Sequence, residues 1–312
     1  MKTITVGKND ENQRLDKFLG KLMPDVPMSI IYKSLRKKRV KQNGKRVTDG
    51  ALRLAAGDVL ELYLNDELFG KKQTAFWQSL TPSLSVVYED AHILVMDKPA
   101  GMLSQSDTEE SLEGHMRAYL FQKGEFDPNL EQTFLPSLCH RIDRNTDGLV
   151  IGAKDAESLR ILNQKIRDKE IRKFYLCETE GTPSPLEGEI RGWLKKDEVK
   201  KKMLFVAENT QGAVFCHTRY RVLKAGNPAT VEAELLTGRT HQIRAGFARL
   251  GCPLAGDVKY GAAKEAGRFQ HLTAKRLVFA FETEGGILEY LNGKEIVLNR
   301  KEQRYAQVDT RA

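Results

Sequence analysis

Residues 140–154 read HRIDRNTDGLVIGAK. The second half, an apolar run from Leu149 to Ile151 entered through a Thr-Asp-Gly turn, predicts a buried strand. The first half sets one carboxylate, Asp143, among His140, Arg141 and Arg144 at the mouth of that strand. An acid between arginines is, out of context, most often half of a surface ion pair and contributes little. What flanks it in the chain must decide whether Asp143 does more.

Upstream, VVYEDAHILVMDKPAG (residues 86–101) reads as two apolar strands about an Asp-Ala turn, a hairpin. Downstream, Asp155 suits the N-cap of a helix with Leu159, Leu162 and Ile166 on one face. IRKFYLCETEG (171–181) is the next strand. VFCHTRYRV (214–222) then alternates, with Val214, Cys216, Thr218, Tyr220 and Val222 on one face, and ATVEAELL (229–236) alternates again. Such alternation implies antiparallel pairing with one wetter face. The expected fold class is therefore α+β, a mixed, mostly antiparallel sheet with helices, over residues 83–300, leaving 301–312 as a C-terminal tail. The basic run KKDEVKKK (195–202) reads as a solvated loop.

LLTGRTHQIRAGFARLGCPLAGD (235–257) ends a strand, turns at Thr237-Gly238 and starts a helix for which Thr240 is a natural N-cap. Ile243, Phe247 and Leu250 form its apolar face, and Gly251 with Pro253 closes it. Arg239 sits at the corner, where a guanidinium can pair with a carboxylate and hold it ionised.

With 312 residues, 40% of them hydrophobic, the chain can bury a sizeable core beside a second, smaller domain. No apolar run approaches the roughly 20 residues of a membrane helix, and MKTITVGKNDENQRLD has no secretory apolar segment, so the cytoplasm is the expected location. The four cysteines, Cys139, Cys177, Cys216 and Cys252, form no CxxC pair, and the six histidines show no HExxH spacing. No metal is expected, and the cysteines read as small buried apolar residues.

The formal net charge of +8 is concentrated at the start of the chain. Residues 1–65 hold 14 Lys and Arg against seven Asp and Glu, and KSLRKKRVKQNGKR (33–46) has eight basic residues and no acid. Lys33, Arg36, Lys37, Lys38, Arg39, Lys41, Lys45 and Arg46 make an electrostatic footprint for a phosphate backbone. Around them the pattern predicts helices over 15–23 and 29–39, two strands about the QNGK turn, and a last strand in VLELYL. In the second helix Ile31 and Leu35 face the core, and Lys33, Arg36 and Lys37 face out. Residues 66–82, aperiodic and ending in Pro82, read as a linker.

Two resemblances join these observations. Residues 13–64 resemble the alpha-L RNA-binding domain of a small-subunit ribosomal protein, giving a small α/β RNA-binding domain over 1–65. HRIDRNTDGLVIGAK, followed by KFYL (173–176) and TGRTHQIRAGFARLG (237–251), resembles the RluA-type pseudouridine synthases, whose signature is His-Arg-Leu/Ile-Asp-x-x-Thr-Ser-Gly-Leu. The likeness extends from ILVMDKPAGM (93–102) to HLTAKRLVF (271–279), and with the N-terminal domain it looks like the subgroup acting on large-subunit ribosomal RNA. It implies that Asp143 is the catalytic aspartate, Tyr175 the active-site tyrosine and Arg239 the basic residue paired with Asp143. Ile243 and Leu272 match pocket-lining positions, and His140 and Arg141 match residues that shape the loop or touch RNA. One departure is Asp147, where the motif usually has Ser; it is expected to point to solvent.

The expected reaction isomerises uridine to pseudouridine in structured RNA without a cofactor. The carboxylate serves either as nucleophile or as base toward the 2′ proton, and the tyrosine stacks on the extruded uracil. No Walker loop or GxGxxG fingerprint is present. No membrane partner is implied, and a monomer is the default. Two other readings stay open: a non-catalytic RNA-binding ribosome-assembly factor, and a hydrolase that would need a second acid near Asp143, for which Asp147 is the candidate by sequence.

Overall fold

The computed structural model describes residues 1–69, 75–264 and 269–299. The expected tail, 301–312, and residues 70–74 of the expected linker lie outside them.

The N-terminal unit comprises β1 (Lys2–Thr5), α1 (Leu15–Leu22), α2 (Met28–Arg36), β2 (Val40–Gln42), β3 (Lys45–Val47) and β4 (Val59–Leu62). Its strands pair antiparallel in the order β1-β4-β2-β3. Leu15, Phe18 and Leu19 of α1 and Ile31 and Leu35 of α2 close over them as one core. Asp16 fastens the two helices: its carboxylate receives Arg14 Nη2 at 2.7 Å and the Tyr32 hydroxyl at 2.9 Å. The second helix stops three residues short of the sequence expectation, because Lys38 turns left-handed (φ 57°) and the Arg39 N–H bonds back to the Ser34 carbonyl. Asn43 and Gly44 (φ 51° and 77°) then make the tight turn between β2 and β3 that suits twisted strands.

The larger unit holds β5 (Val86–Glu89), β6 (Ile93–Lys98), α3 (Leu112–Gln122), β7 (Ser137–Leu138), β8 (Asp147–Ala153), α4 (Ala156–Arg167), β9 (Ile171–Thr179), β10 (Glu187–Asp197), β11 (Lys202–Val206), β12 (Val214–Lys224), β13 (Ala229–Leu235), α5 (Gln242–Arg249), β14 (Leu272–Phe279) and β15 (Glu295–Val297). One sheet runs β11-β10-β12-β13-β9-β14-β8-β6-β5, with β15 beside β14 and β7 beside β8. Every named pair is antiparallel except β14 with β8. The KKDEVKKK run is only partly a loop, since Lys195 to Asp197 finish β10 and pair with β11.

The period of two explains how one apolar run feeds two cores. In β6, Leu94 and Met96 join one core with α3 and α5, while Ile93 and Val95 join the other with α4. In β8, Val150 faces the first core, and Leu149 and Ile151 face the second. Covered on both faces, β8 reads as a continuous apolar run. It enters the sheet through Gly148 at φ 110°, where a Cβ would lie 2.3 Å from the Ala274 carbonyl oxygen; only glycine permits that approach of β14.

Part of the expected linker is structural. Trp77 is buried against α3, with its ring 6.1 Å from Phe121 and 5.8 Å from Phe126. The two units are also bonded to each other. Asn9 donates to Glu131 at 2.7 Å, Gln13 donates to Thr133 at 3.2 Å, and the Thr133 hydroxyl donates to the buried Asp10. The Ala156 N–H at the start of α4 donates to Asn9 at 3.0 Å.

Candidate active site

The loop before β8 is fixed to a second loop that follows β6, mostly by side chains bonding backbone carbonyls. Lys98 is fully buried, and its ammonium donates to the carbonyls of Pro99, Met102 and Arg144 at 2.8–2.9 Å. Burial pushes that ammonium down to about 8, against the opposing charges of Asp147 and Asp143. The Gly101 N–H bonds the Arg144 carbonyl, Arg144 Nε returns a bond to the Gly101 carbonyl, and the Ser104 hydroxyl donates to the Ile142 carbonyl. Asp143 is thus held between two clamped neighbours.

Asp143 opens onto a cavity of about 870 Å³ that is also lined by Tyr175, Arg239, His140, Arg141, Ile243 and Leu272. The structure therefore brings together every site residue expected from the larger unit. It changes one partnership. Arg239 is exposed; its Nε donates to the Phe215 carbonyl at 2.9 Å, and its backbone N–H donates to Gln242 Oε1 at 3.0 Å. The cation on Asp143 is Arg244, whose Nη1 lies 3.1 Å from Asp143 Oδ2. The other edge of the same guanidinium grips Asp257 through Nε at 2.7 Å and Nη2 at 2.9 Å. A fork held on one edge by a buried carboxylate presents its remaining N–H at a fixed angle.

The reason lies in how α5 begins. Thr240 is exposed and does not cap the helix; His241 takes the N-cap position in a left-handed conformation (φ 51°) with no side-chain cap bond. Gln242 instead ties the corner, bonding Thr237, the Arg239 N–H, the His217 carbonyl and Thr218. Arg239 is left on the rim over β12, and Arg244, within the first turn of α5, faces the cleft. Leu250, at the far end of that helix, is 38% exposed and is not part of the buried face that Ile243 and Phe247 form.

Sequence reasoning missed Arg244, Asp257 and the pair formed by His241 and Tyr260. His241 Nε2 stands 3.8 Å from Asp143, its Nδ1 is 2.9 Å from the Tyr260 hydroxyl, and the Arg244 guanidinium lies 5.1 Å from the centre of the Tyr260 ring. A signal for Arg244 did exist: it adjoins Ile243 and precedes Phe247 by three, so it borders the apolar stripe, where an arginine needs a partner. No spacing in the sequence pointed to Asp257.

Tyr175 is 5% exposed, and burial, assisted by the charge of Asp143, pushes its phenol well above the usual range. At neutral pH it offers a ring face and an O–H donor. His140 Nε2 accepts the Ile151 N–H at 3.2 Å, and burial, with Lys173 contributing, holds the imidazole down to about 3. Nε2 is thereby an acceptor, so the ring proton sits on Nδ1. Asp147 does not point to solvent: it is buried at the start of β8 and accepts the Thr273 hydroxyl at 2.6 Å. The eight basic residues of 33–46 are exposed as expected, except Lys41, which is half-buried and pairs with Glu61 at 3.3 Å. Among the described residues, no three His, Cys, Asp or Glu side chains converge as metal ligands would, and no helix is long and apolar enough to cross a membrane.

A fold with a mixed central sheet, and a lone aspartate at its mouth backed by an arginine and a buried tyrosine, can be set against known proteins. A family model described as RNA pseudouridylate synthase matches residues 92–249, and one described as S4 domain matches residues 13–60. The chain belongs to the RNA pseudouridylate synthase family, of the RluA type, and carries an S4 RNA-binding domain at its N-terminus. It is 32% identical to an uncharacterized RNA pseudouridine synthase of Mycoplasma capricolum, over 96% of this chain and 98% of that one. It is 33% identical to the ribosomal large subunit pseudouridine synthase C of Vibrio vulnificus, over 83% and 79% of the two chains. Among solved structures, human RNA pseudouridylate synthase domain containing 4 shares the fold, with a TM-score of 0.54 and 22% identity over 70% of this chain and 89% of that one. The chain is an RNA pseudouridine synthase, an isomerase.

Proposed function

We propose that this chain converts particular uridines of large-subunit ribosomal RNA to pseudouridine in the cytoplasm, acting as a monomer, with Asp143 as the reacting group. The observation that carries the assignment of Asp143 is its ion pair with Arg244, inside the cavity that Tyr175, Ile243 and Leu272 line. Relatives named for large-subunit ribosomal RNA support the substrate class.

The reaction breaks the bond between uracil nitrogen and sugar, turns the base and rejoins it through carbon 5, so nothing is oxidised and no group is imported. Asp143 meets the sugar or its 2′ proton, as nucleophile or as base. Arg244, locked by Asp257, keeps the carboxylate aimed while the base turns. Tyr175 keeps its proton, and so stacks on the extruded uracil and donates to it. Ile243 and Leu272 exclude water around the detached base. Arg239, on the rim, meets RNA rather than Asp143, as do Arg141 and the exposed lysines and arginines of residues 33–46. These last hold the phosphate backbone and carry no base readout of their own.

The test is release of tritium to water from large-subunit ribosomal RNA transcribed with uridine tritiated at carbon 5, because carbon 5 must lose that hydrogen. Release by the wild type and none by Asp143→Ala is the expected result; equal release by both would remove Asp143 from the chemistry.

A further inference from the structure

Lys173 stands two residues before Tyr175 on β9, so both side chains leave the same face of the sheet. It is half-buried, lines the cavity of Asp143, and lies opposite Leu235 of β13, where the chain leaves for the Arg239 corner. A Cβ on Gly238 would sit 3.9 Å from its Nζ. Among the described residues its ammonium makes no hydrogen bond and no ion pair, although carboxylates line the same cavity. They are committed elsewhere: Glu234 to Arg172 at 2.7 Å and to Arg219 at 3.2 Å, and Asp143 to Arg244. Burial depresses its ammonium, and no carboxylate offsets that effect.

Removing an ammonium from water without a counter-charge is costly, and folded chains rarely retain one that nothing uses. Beside it, the Nδ1–H of His140 also has no partner among the described residues, since the ring is anchored through Nε2. A positive charge and a neutral N–H donor thus face one cavity, and both call for an acceptor.

We propose that Lys173, assisted by the Nδ1–H of His140, binds the phosphodiester adjoining the target uridine. The spacing suits this. Two residues along a strand span about 7 Å, so an RNA whose uracil rests on Tyr175 lays its neighbouring phosphate along the strand toward Lys173. The two non-bridging oxygens of a phosphodiester only accept and share a negative charge, so they match a cation beside a neutral N–H donor, and they carry a charge that a base edge lacks. The inference deepens the proposed function and rests on it for the position of the uridine.

The experiment compares wild type, Lys173→Gln and Lys173→Arg, with Lys224→Gln removing the same charge from outside the cavity. Affinity for the tritiated large-subunit transcript is measured across salt concentrations, together with kcat, KM and Tm. Lys173→Gln should weaken binding about tenfold and flatten the slope of log affinity against log salt by roughly one phosphate's worth, 0.7 to 0.9. Its KM should rise more than its kcat falls, its Tm should not drop, and Lys173→Arg should restore the slope. An unchanged slope, or a slope change no larger than that of Lys224→Gln, would overturn the assignment. So would a fall in Tm with slope intact, which marks a purely structural lysine. Tritium release by the wild type reports on the reaction and the slope difference on the phosphate contact, so either can fail alone.

Discussion

Asp143 and Asp257 share one guanidinium: Arg244 reaches the first through Nη1 at 3.1 Å and the second through Nε and Nη2 at 2.7 and 2.9 Å. Asp257 is 2% exposed, whereas the Asp143 side chain remains about a quarter exposed. One carboxylate anchors the cation, and the other stays open to a substrate.

Replacing Arg244 therefore does two things at once. Arg244→Met strands a buried carboxylate at Asp257 and should destabilise the chain by about 3–5 kcal/mol. Arg244→Lys keeps a charge without the fork and should cost more than a hundredfold in kcat with a smaller loss of stability. Arg239→Gln, by contrast, should raise KM while largely sparing kcat. Steady-state kinetics of the three variants with thermal melts separates the roles, and a kcat collapse in Arg239→Gln would return that residue to the aspartate.

Asp143→Asn preserves shape and removes charge. Turnover should fall below detection while RNA affinity stays within a few-fold of wild type. Filter binding measures affinity and tritium release measures turnover on the same transcript.

The N-terminal patch should act through charge count. Lys33, Lys37, Lys38 and Lys45 are exposed. Changing all four to Gln should lower the salt slope by roughly three units if each meets a phosphate, with kcat at saturating RNA little altered. A slope equal to wild type would place the RNA elsewhere.

His140 gives a pH signature in stability. Its folded imidazole is held down to about 3, while the unfolded chain takes up a proton near the usual value of about 6.5. Between those values the unfolded state binds the extra proton, so stability rises with pH across the window. The residue's favourable contribution is complete above about pH 6.5 and shrinks as pH falls. The Tm difference between wild type and His140→Gln should therefore narrow from pH 7 to pH 5. A constant difference would mean that the imidazole titrates alike in both states.

Where periodicity reports burial, the elements and their order were legible, whereas β1, α3, β10, β11 and β15 were not read from the sequence. The run at 149–151, the alternation of 214–222 from Cys216 onward (Val214 itself is exposed) and the Asp155 cap, which accepts the Ser158 N–H at 2.8 Å, stand. What was not legible arose from contacts across long stretches of chain. Arg239 looked fixed by its corner, yet Gln242 turned that corner outward and passed the ion pair to Arg244. Asp147 read as a charge after a turn, but Thr273, 126 residues away, receives it in the sheet. Trp77 read as linker because its partners, Phe121 and Phe126, come later in the chain. Helix-capping rules failed at Thr240 for the same reason: a side chain tied to β12 overrode the local preference.

The bonds from Asn9 and Gln13 to Glu131 and Thr133, and from Asn9 to the start of α4, have a consequence for choosing a target. They fasten the basic hairpin of the N-terminal unit at a set span from Asp143, so with RNA held as proposed the two would act as the jaws of a caliper. A uridine would then be chosen by how far it stands, through folded RNA, from the helix or loop that the hairpin grips. Sequence neighbours of the uridine would then matter less than the shape that fills the gap, and loosening Asn9 should widen the set of uridines modified before it slows the reaction.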